Sequence, residues 1–471
     1  MKRIDRRFMR DSGRTIHGLL VVASLISPML LTAQPSSPNQ YAETASALTK
    51  RGLTDLKAFA LLSELTGKVG NRLSGSPQAA KAVAWGKKTM VEIGCDNVHL
   101  EPVTVPHWLR GKTERAFLID GKKRTPLAIC ALGGSVATPK KGLVAEVVEV
   151  HSLSEAKELG AKAKGKIVFF NRPMDPAKVL TFEAYGGAVD QRGEGAIEAA
   201  KVGALGVIVR SMTLAIDNVP HTGSMHYVDG VTKIPSAAVS TIGAEELSRR
   251  LKSGKKVRVQ ITLSCRTLPD AESSNVVGEI RGSEIPNEVV VLGGHLDSWD
   301  KGSGAHDDGA GCVQSLEALR LMRQLGLKPK RTIRCVLFMN EENGLRGGKA
   351  YAAVSRPNEK HVAAIESDAG GFAPLGFGIN ADSATFAKFK SLAGALEEIG
   401  VDRIRKGGGG ADISPLSTSG VPLIGLIPEN QRYFDYHHSD KDTIDKVNPR
   451  ELELGAIAMA ILSFEIAEEG D

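Results

Sequence analysis

"VVVLGGHLDSWDKGSGAHDDGAG", residues 289–311, begins as a buried strand and ends in a crowd of ionisable groups. The apolar run Val289–Leu292 passes through two glycines into His295, Asp297, Asp300, His306, Asp307 and Asp308. A strand that is apolar at successive positions is covered on both faces, the habit of a parallel sheet between helices. Polar groups at its carboxyl end fall where such sheets gather their ligands.

The pattern recurs downstream. "CVLFMN" runs into Glu341–Glu342, "VAAIESD" ends in Glu366-Ser-Asp368, and "VPLIGLI" leads through a loop to "YHHSDKDT", which carries His437 and His438. Helical blocks alternate with these strands: "GAGCVQSLEALRLMRQLG", "GLRGGKAYAAV", "SATFAKFKSLAGALEEIG" and "PRELELGAIAMAILSFEIAEE". Alternation of this kind predicts an α/β fold, a mixed central sheet flanked by helices. Strands "NVVGEIRG" and "EVVVLGGH" are expected to be joined by a turn at Pro286–Asn287.

Residues 34–40 read as a polar tether, and 41–94 as two helical blocks. The second block starts at Ser76–Pro77 and stops at Gly94. Between 131 and 268 the texture changes to short strands such as "GKIVFFN", "LGVIVR" and "IPSAAVS", with one clear helical block, "GEGAIEAAKVGA". The expected organisation is therefore an insert at 131–268 within a main domain made of 34–130 and 269–471.

Residues 1–33 are set apart. A basic start, "MKRIDRRFMRDSGR", precedes the apolar "GLLVVASLISPMLL" and small residues up to Ala33, which reads as a signal peptide and an exported protein, secreted or periplasmic. The apolar run is short and contains Pro28, which argues against a membrane anchor, the alternative reading. This segment holds four of the chain's six net positive charges, so the remainder is near neutral and gives no reason to expect nucleic acid. Five widely spaced cysteines contain no CxxC pair, which removes a zinc ribbon. Cys130 with Cys265 is the expected pairing if any forms; Cys312 and Cys335 read as buried thiols.

Each fragment of the ionisable pattern has an ordinary explanation. A His-x-Asp at a strand end is often coincidence, Asp-Asp marks turns, and Glu-Glu is usually a solvated pair. Together, in order and at strand ends, they describe a site. Asp307, Glu341, Glu342 and Asp368 in one pocket cannot all stay charged without cations. Two histidines with several carboxylates suit borderline divalent ions such as zinc. Alternation along a strand puts His295 and Asp297 on one side, so that Asp297 is expected to orient the His295 ring.

The set "GGHLDSW…GAHDDGAG…NEENGLRGG…ESD…YHHSDKDT" resembles the clan MH co-catalytic dizinc exopeptidases, over about residues 40–471. Within that clan it is most similar to the plasma glutamate carboxypeptidase group, and the 131–268 segment resembles a protease-associated domain. The resemblance implies two Zn²⁺ per chain. It assigns one ion to His295, Asp307 and Asp368, and the other to Asp307, Glu342 and His438, with His437 as the competing ligand. It makes Glu341 the general base and leaves Asp308 outside the ligand set. It further implies a short peptide substrate, with unblocked dipeptides favoured and an aminopeptidase acting on longer peptides as the alternative. The protease-associated segment would cover the cleft or form a homodimer.

Around this core, "GGGGADISPL" is expected to line the cleft, and Asp412 to hold an amino terminus or to support the site. Tyr436 is either a donor to the oxyanion or a packed aromatic. His221 and His226 read as surface residues. Two rivals come from other classes: a glutaminyl cyclase-like acyl transferase, disfavoured by "NEEN" and the insert, and a non-catalytic binding module, disfavoured by a complete ligand set.

Overall fold

A computed structural model describes residues 41–469. The signal-peptide segment and the tether lie outside the described residues.

Two eight-stranded sheets organise the chain. In the first, the strand order is Asp96–Leu109, Arg266–Ile280, Arg331–Phe338, Ile285–His295, Lys360–Glu366, Leu423–Pro428, Pro374–Asn380 and Arg403–Lys406. The four central strands are parallel, and antiparallel pairs flank them. Registry brings the central carboxyl ends level: His295 sits opposite Phe338, and Gly293 and Gly425 both sit opposite Glu366. This levelling is what turns four separate sequence fragments into one site.

Helices Ala310–Gln324 and Pro449–Glu468 pack on one another against this sheet. The first buries Val313, Leu316, Leu319 and Leu321 completely, each contributing about 2 kcal/mol by removal from water. Helix Pro77–Ile93 begins as its sequence requires. The Ser76 side chain accepts the Ala79 N–H at 3.1 Å, Pro77 opens the first turn, and Gly94 closes it at φ 84°.

The second sheet is formed by strands between Glu114 and Leu263, with three parallel pairs among strands Leu143–Val150, Ile167–Phe170, Gly206–Arg210 and Ser236–Val239. Strands Asp96–Leu109 and Arg266–Ile280, antiparallel neighbours in the first sheet, lead into and out of it. Helix Thr241–Lys252, capped by Ser240, lies in this unit beyond the one helix expected there. Its long polar face hid its period among the charges of "AEELSRRLKSGKK".

Two expectations are corrected. The connection between the strands ending at Ile280 and starting at Ile285 is Arg281–Glu284, and the two are not a hairpin, because Arg331–Phe338 lies between them. Pro286 and Asn287 already belong to the second strand, where the register shifts before Val289. The Cys130–Cys265 pairing is absent, and all five cysteines are free. Cys130 points into the apolar cluster around Phe170 and Val209, while Cys265 joins the other cluster, around Val259 and Leu263. Among the described residues no helix is long and apolar enough to cross a membrane.

Candidate metal centre and active site

The carboxyl ends of the central strands deliver His295, Asp307, Glu341, Glu342 and Asp368 to one buried cluster, and the loop after Pro428 adds His437 and His438. Asp307 is its centre. One carboxylate oxygen, Oδ1, is 3.3 Å from His295 Nε2, which is itself 3.5 Å from Asp368 Oδ1. The other oxygen, Oδ2, is 3.2 Å from His438 Nε2, which is 3.1 Å from Glu342 Oε2. Asp307 thus faces a histidine–carboxylate pair on each side.

His437 is farther from the same oxygen, at 3.8 Å, and its ring stacks on His438 with centroids 3.5 Å apart. Asp308 also offers an oxygen close to His295 and Asp368. Its two oxygens, however, already accept the backbone N–H of His295 at 3.0 Å and of Gly311 at 2.9 Å, so it buttresses the strand end.

Charge and burial make this cluster unstable on its own. Burial, then the Asp307 charge, lifts Glu342 to about 7, while Glu341 and Asp412 are pushed well up, mainly by burial. Burial works against a charged His438, yet Glu342 and Asp307 outweigh it and lift the imidazole to about 10. His295 Nε2 and Asp307 Oδ2 are buried without a hydrogen bond of good geometry. Imidazole and carboxylate donors converging within 4.8 Å, with buried lone pairs unused, fit divalent cations.

The surroundings hold each group in place. Asp442 accepts the backbone N–H groups of Ala305, His306 and Asp307, at 3.1, 2.7 and 3.1 Å. Buried Arg72 donates to the carbonyls of Leu296, Ser303 and Gly304 at 2.6, 2.8 and 3.0 Å, bracing the whole loop. The N–H of Trp299 donates to Glu342 Oε1 at 3.0 Å. Neither Arg72 nor Asp442 was singled out from sequence; both act on backbone, which a residue pattern does not display.

Asp297 differs from expectation. The backbone carbonyl of Asp297, 3.0 Å from Nδ1, orients the His295 ring, and the carboxylate stands off at 3.9 Å. That carboxylate instead accepts the N–H groups of Asn340 at 2.7 Å and Glu341 at 3.1 Å, aligning the Glu341–Glu342 loop. Tyr436 is a packed aromatic, its ring stacked 5.3 Å from His306. Asp412 is buried behind the cluster, where its N–H and that of Ile413 face Glu366 at 3.4 and 2.9 Å.

The surface reading of His221 is overturned; His226 is exposed. Burial drops the His221 imidazole to about 4, so its neutral Nδ1–H donates to the carbonyl of His437 at 2.7 Å. The next residue, Thr222, donates its N–H to the carbonyl of His438 at 2.9 Å. His438 holds a left-handed backbone at φ 60°, uncommon for histidine, and this contact from the second sheet secures it.

Residues 275–463 match the peptidase family M28 profile. The chain is 39% identical to carboxypeptidase Q of Bos taurus over 422 residues, covering 89% of this chain and 87% of that protein. It belongs to peptidase family M28.

This M28 metallopeptidase is also similar to the crystal structure of a peptidase M28 precursor from Shewanella amazonensis. The TM-score is 0.88 at 36% identity, covering 92% of this chain and 98% of that one. A zinc aminopeptidase from Bacillus subtilis shares the fold at a TM-score of 0.63 and 21% identity, covering 87% of this chain and 96% of that one.

Proposed function

We propose that this M28 peptidase is an exported zinc-dependent exopeptidase that hydrolyses short peptides, with unblocked dipeptides as its substrates. The observation that carries the reading is Asp307, with one oxygen toward His295 and Asp368 and the other toward His438 and Glu342. These five residues would hold two zinc ions, shared across Asp307. When bound, the ions supply Lewis-acid activation of a peptide carbonyl and of a water.

The protein's own groups then move the proton and hold the geometry. Glu341, whose carboxylate has no hydrogen-bond partner within the described residues, takes a proton from the attacking water. As the water oxygen bonds to the carbonyl carbon and the C–N bond breaks, Glu341 returns that proton to the leaving amine. Asp297 keeps Glu341 in line through the two backbone N–H groups. The insert expected at 131–268 is proposed as a protease-associated domain, with the strands from Glu114 to Leu127 joining its sheet. Its His221 and Thr222 would steady the loop carrying His438. Export rests on the signal-like residues 1–33.

The test is hydrolysis of a dipeptide panel, with amino-blocked and carboxyl-blocked versions, alongside Glu341→Gln and metal analysis of both proteins. The expected result is cleavage of free dipeptides, with kcat reduced about 10²- to 10⁴-fold in Glu341→Gln, the range for a lost general base, and metal content unchanged. Efficient cleavage of longer carboxyl-blocked peptides would replace the dipeptidase reading by an aminopeptidase. A metal-loaded protein that cuts none of them would overturn the proposal.

A further inference from the structure

A cavity of ≈ 280 Å³ opens beside the metal cluster. At one end it is lined by Asp368 and Glu366, at the other by Arg405, with Gly408, Gly409 and Asn430 between. A second cavity of ≈ 470 Å³ continues from Arg405 and Gly408 toward solvent past Phe182, Lys406 and Glu183. Asp368 and Glu366 thus line the inner cavity alone, and Arg405 lines both.

Three observations single out Arg405. It makes no hydrogen bond or ion pair with the described residues. Its neighbour Lys406 lines the outer cavity but is already engaged, bonded to Ser383 Oγ at 3.2 Å and lying over the Phe386 ring. The two carboxylates of the inner cavity are engaged elsewhere: Glu366 accepts the N–H of Ile413 at 2.9 Å, and Asp368 faces His295 at 3.5 Å. Glu183 is 3.7 Å from Lys178. The guanidinium is thus a cation in a substrate-sized passage with no anion of its own.

The glycines beside it complete the chemistry. Gly408 and Gly409 hold φ of 134° and 116°, and a Cβ on Gly408 would lie 2.6 Å from the backbone of Gly378, so a side chain there is excluded. Neither of their N–H groups bonds to another group among the described residues. Free backbone N–H groups in such a turn, next to a forked guanidinium, suit a carboxylate.

We propose that Arg405, with the N–H groups of Gly408 and Gly409, is the subsite for the free carboxylate of the substrate. The inference rests on the exopeptidase reading. It adds that the carboxyl terminus is recognised directly, at the end of the passage opposite the metal cluster.

The experiment compares kcat/KM for a free dipeptide and for its carboxamide. The wild-type protein is expected to favour the free acid by about 10- to 100-fold, the worth of a hydrogen bond to an ionised partner. Arg405→Met is expected to bring that ratio close to one, and Arg405→Lys to leave it intermediate, because the charge stays and the fork is lost. A wild-type ratio near one, or the same ratio in wild type and Arg405→Met, would overturn the proposal. If the wild type cuts neither compound, the exopeptidase reading fails by itself. The acid–amide preference is then read as binding to Glu341→Gln by calorimetry, where loss of the preference on adding Arg405→Met supports the subsite and its persistence overturns it.

Discussion

Asp442 shows how a single carboxylate can govern a site without touching its reacting atoms. Its two oxygens gather three consecutive backbone N–H groups, ending at that of Asp307. Asp442→Asn keeps one accepting oxygen and turns an N–H₂ toward the remaining donor. Asp307 should then lose its fixed position, and metal affinity should fall about 10- to 100-fold, as for other groups that orient ligands; competition with a chromogenic chelator measures it. His295, Asp307, Glu341, Glu342 and Asp368 were legible in the sequence as a group because they follow strand ends beside glycines or other acids, whereas His438, in a loop, was picked out over His437 by the family resemblance. The braces were not: Arg72 lies in an unremarkable "GNRLSG", and its partners are carbonyl oxygens.

The helix Pro449–Glu468 is nearly all buried, and its sequence already says so: "LGAIAMAILSF" leaves no polar face. Two carboxylates are buried on it: Glu453, which accepts the Ala58 N–H at 3.0 Å, and Glu465, with both oxygens unpartnered among the described residues. Burial, aided by Glu469, lifts Glu465 to about 8 from an ordinary 4.5. A raised carboxyl favours folding fully below the ordinary value, and that advantage is lost as pH climbs toward 8. The melting temperature should therefore fall more steeply between pH 5 and pH 8.5 in the wild-type protein than in Glu465→Gln, as thermal unfolding at several pH values would record. Helices and central strands of this kind are easy to read, because burial on all sides requires continuous apolar sequence. The short strands Pro374–Asn380 and Arg403–Lys406 were missed: "PLGFGIN" has two glycines and "RIRK" is basic, so pairing partners, not composition, make them strands.

The molecule works as two sheets locked around one loop. Arg110 is the clamp: its guanidinium donates to both oxygens of Asp300 at 2.9 Å and to Thr222 Oγ1 at 3.1 Å, and it is 3.0 Å from Glu114. It is buried, so removing it leaves Asp300 without its cation and Glu114 with Lys301 alone, 3.2 Å away. Arg110→Met should destabilise the fold by about 3–5 kcal/mol, the usual cost of orphaning one member of a buried pair, measured by urea unfolding. Beyond the clamp, Thr181 donates to the Asn430 carbonyl at 3.0 Å and Phe182 stacks on Tyr433 at 5.3 Å, so the second sheet forms part of the wall around the His437–His438 loop.

By itself the sequence determined the α/β class, the central strands and the residue types gathered at their ends. These depend on local rules: continuous apolar runs for two-sided burial, capping residues at helix starts, and polar residues where a strand leaves the core. Only the tertiary structure decided which oxygen of Asp307 faces which histidine, that Asp297 aligns the Glu341 loop and not the His295 ring, and that His221 reaches across from the other sheet. Those outcomes depend on registry, backbone hydrogen bonds and burial between segments apart in the chain, by 44 residues for Asp297 and Glu341 and by 216 for His221 and His437, and no local pattern encodes them.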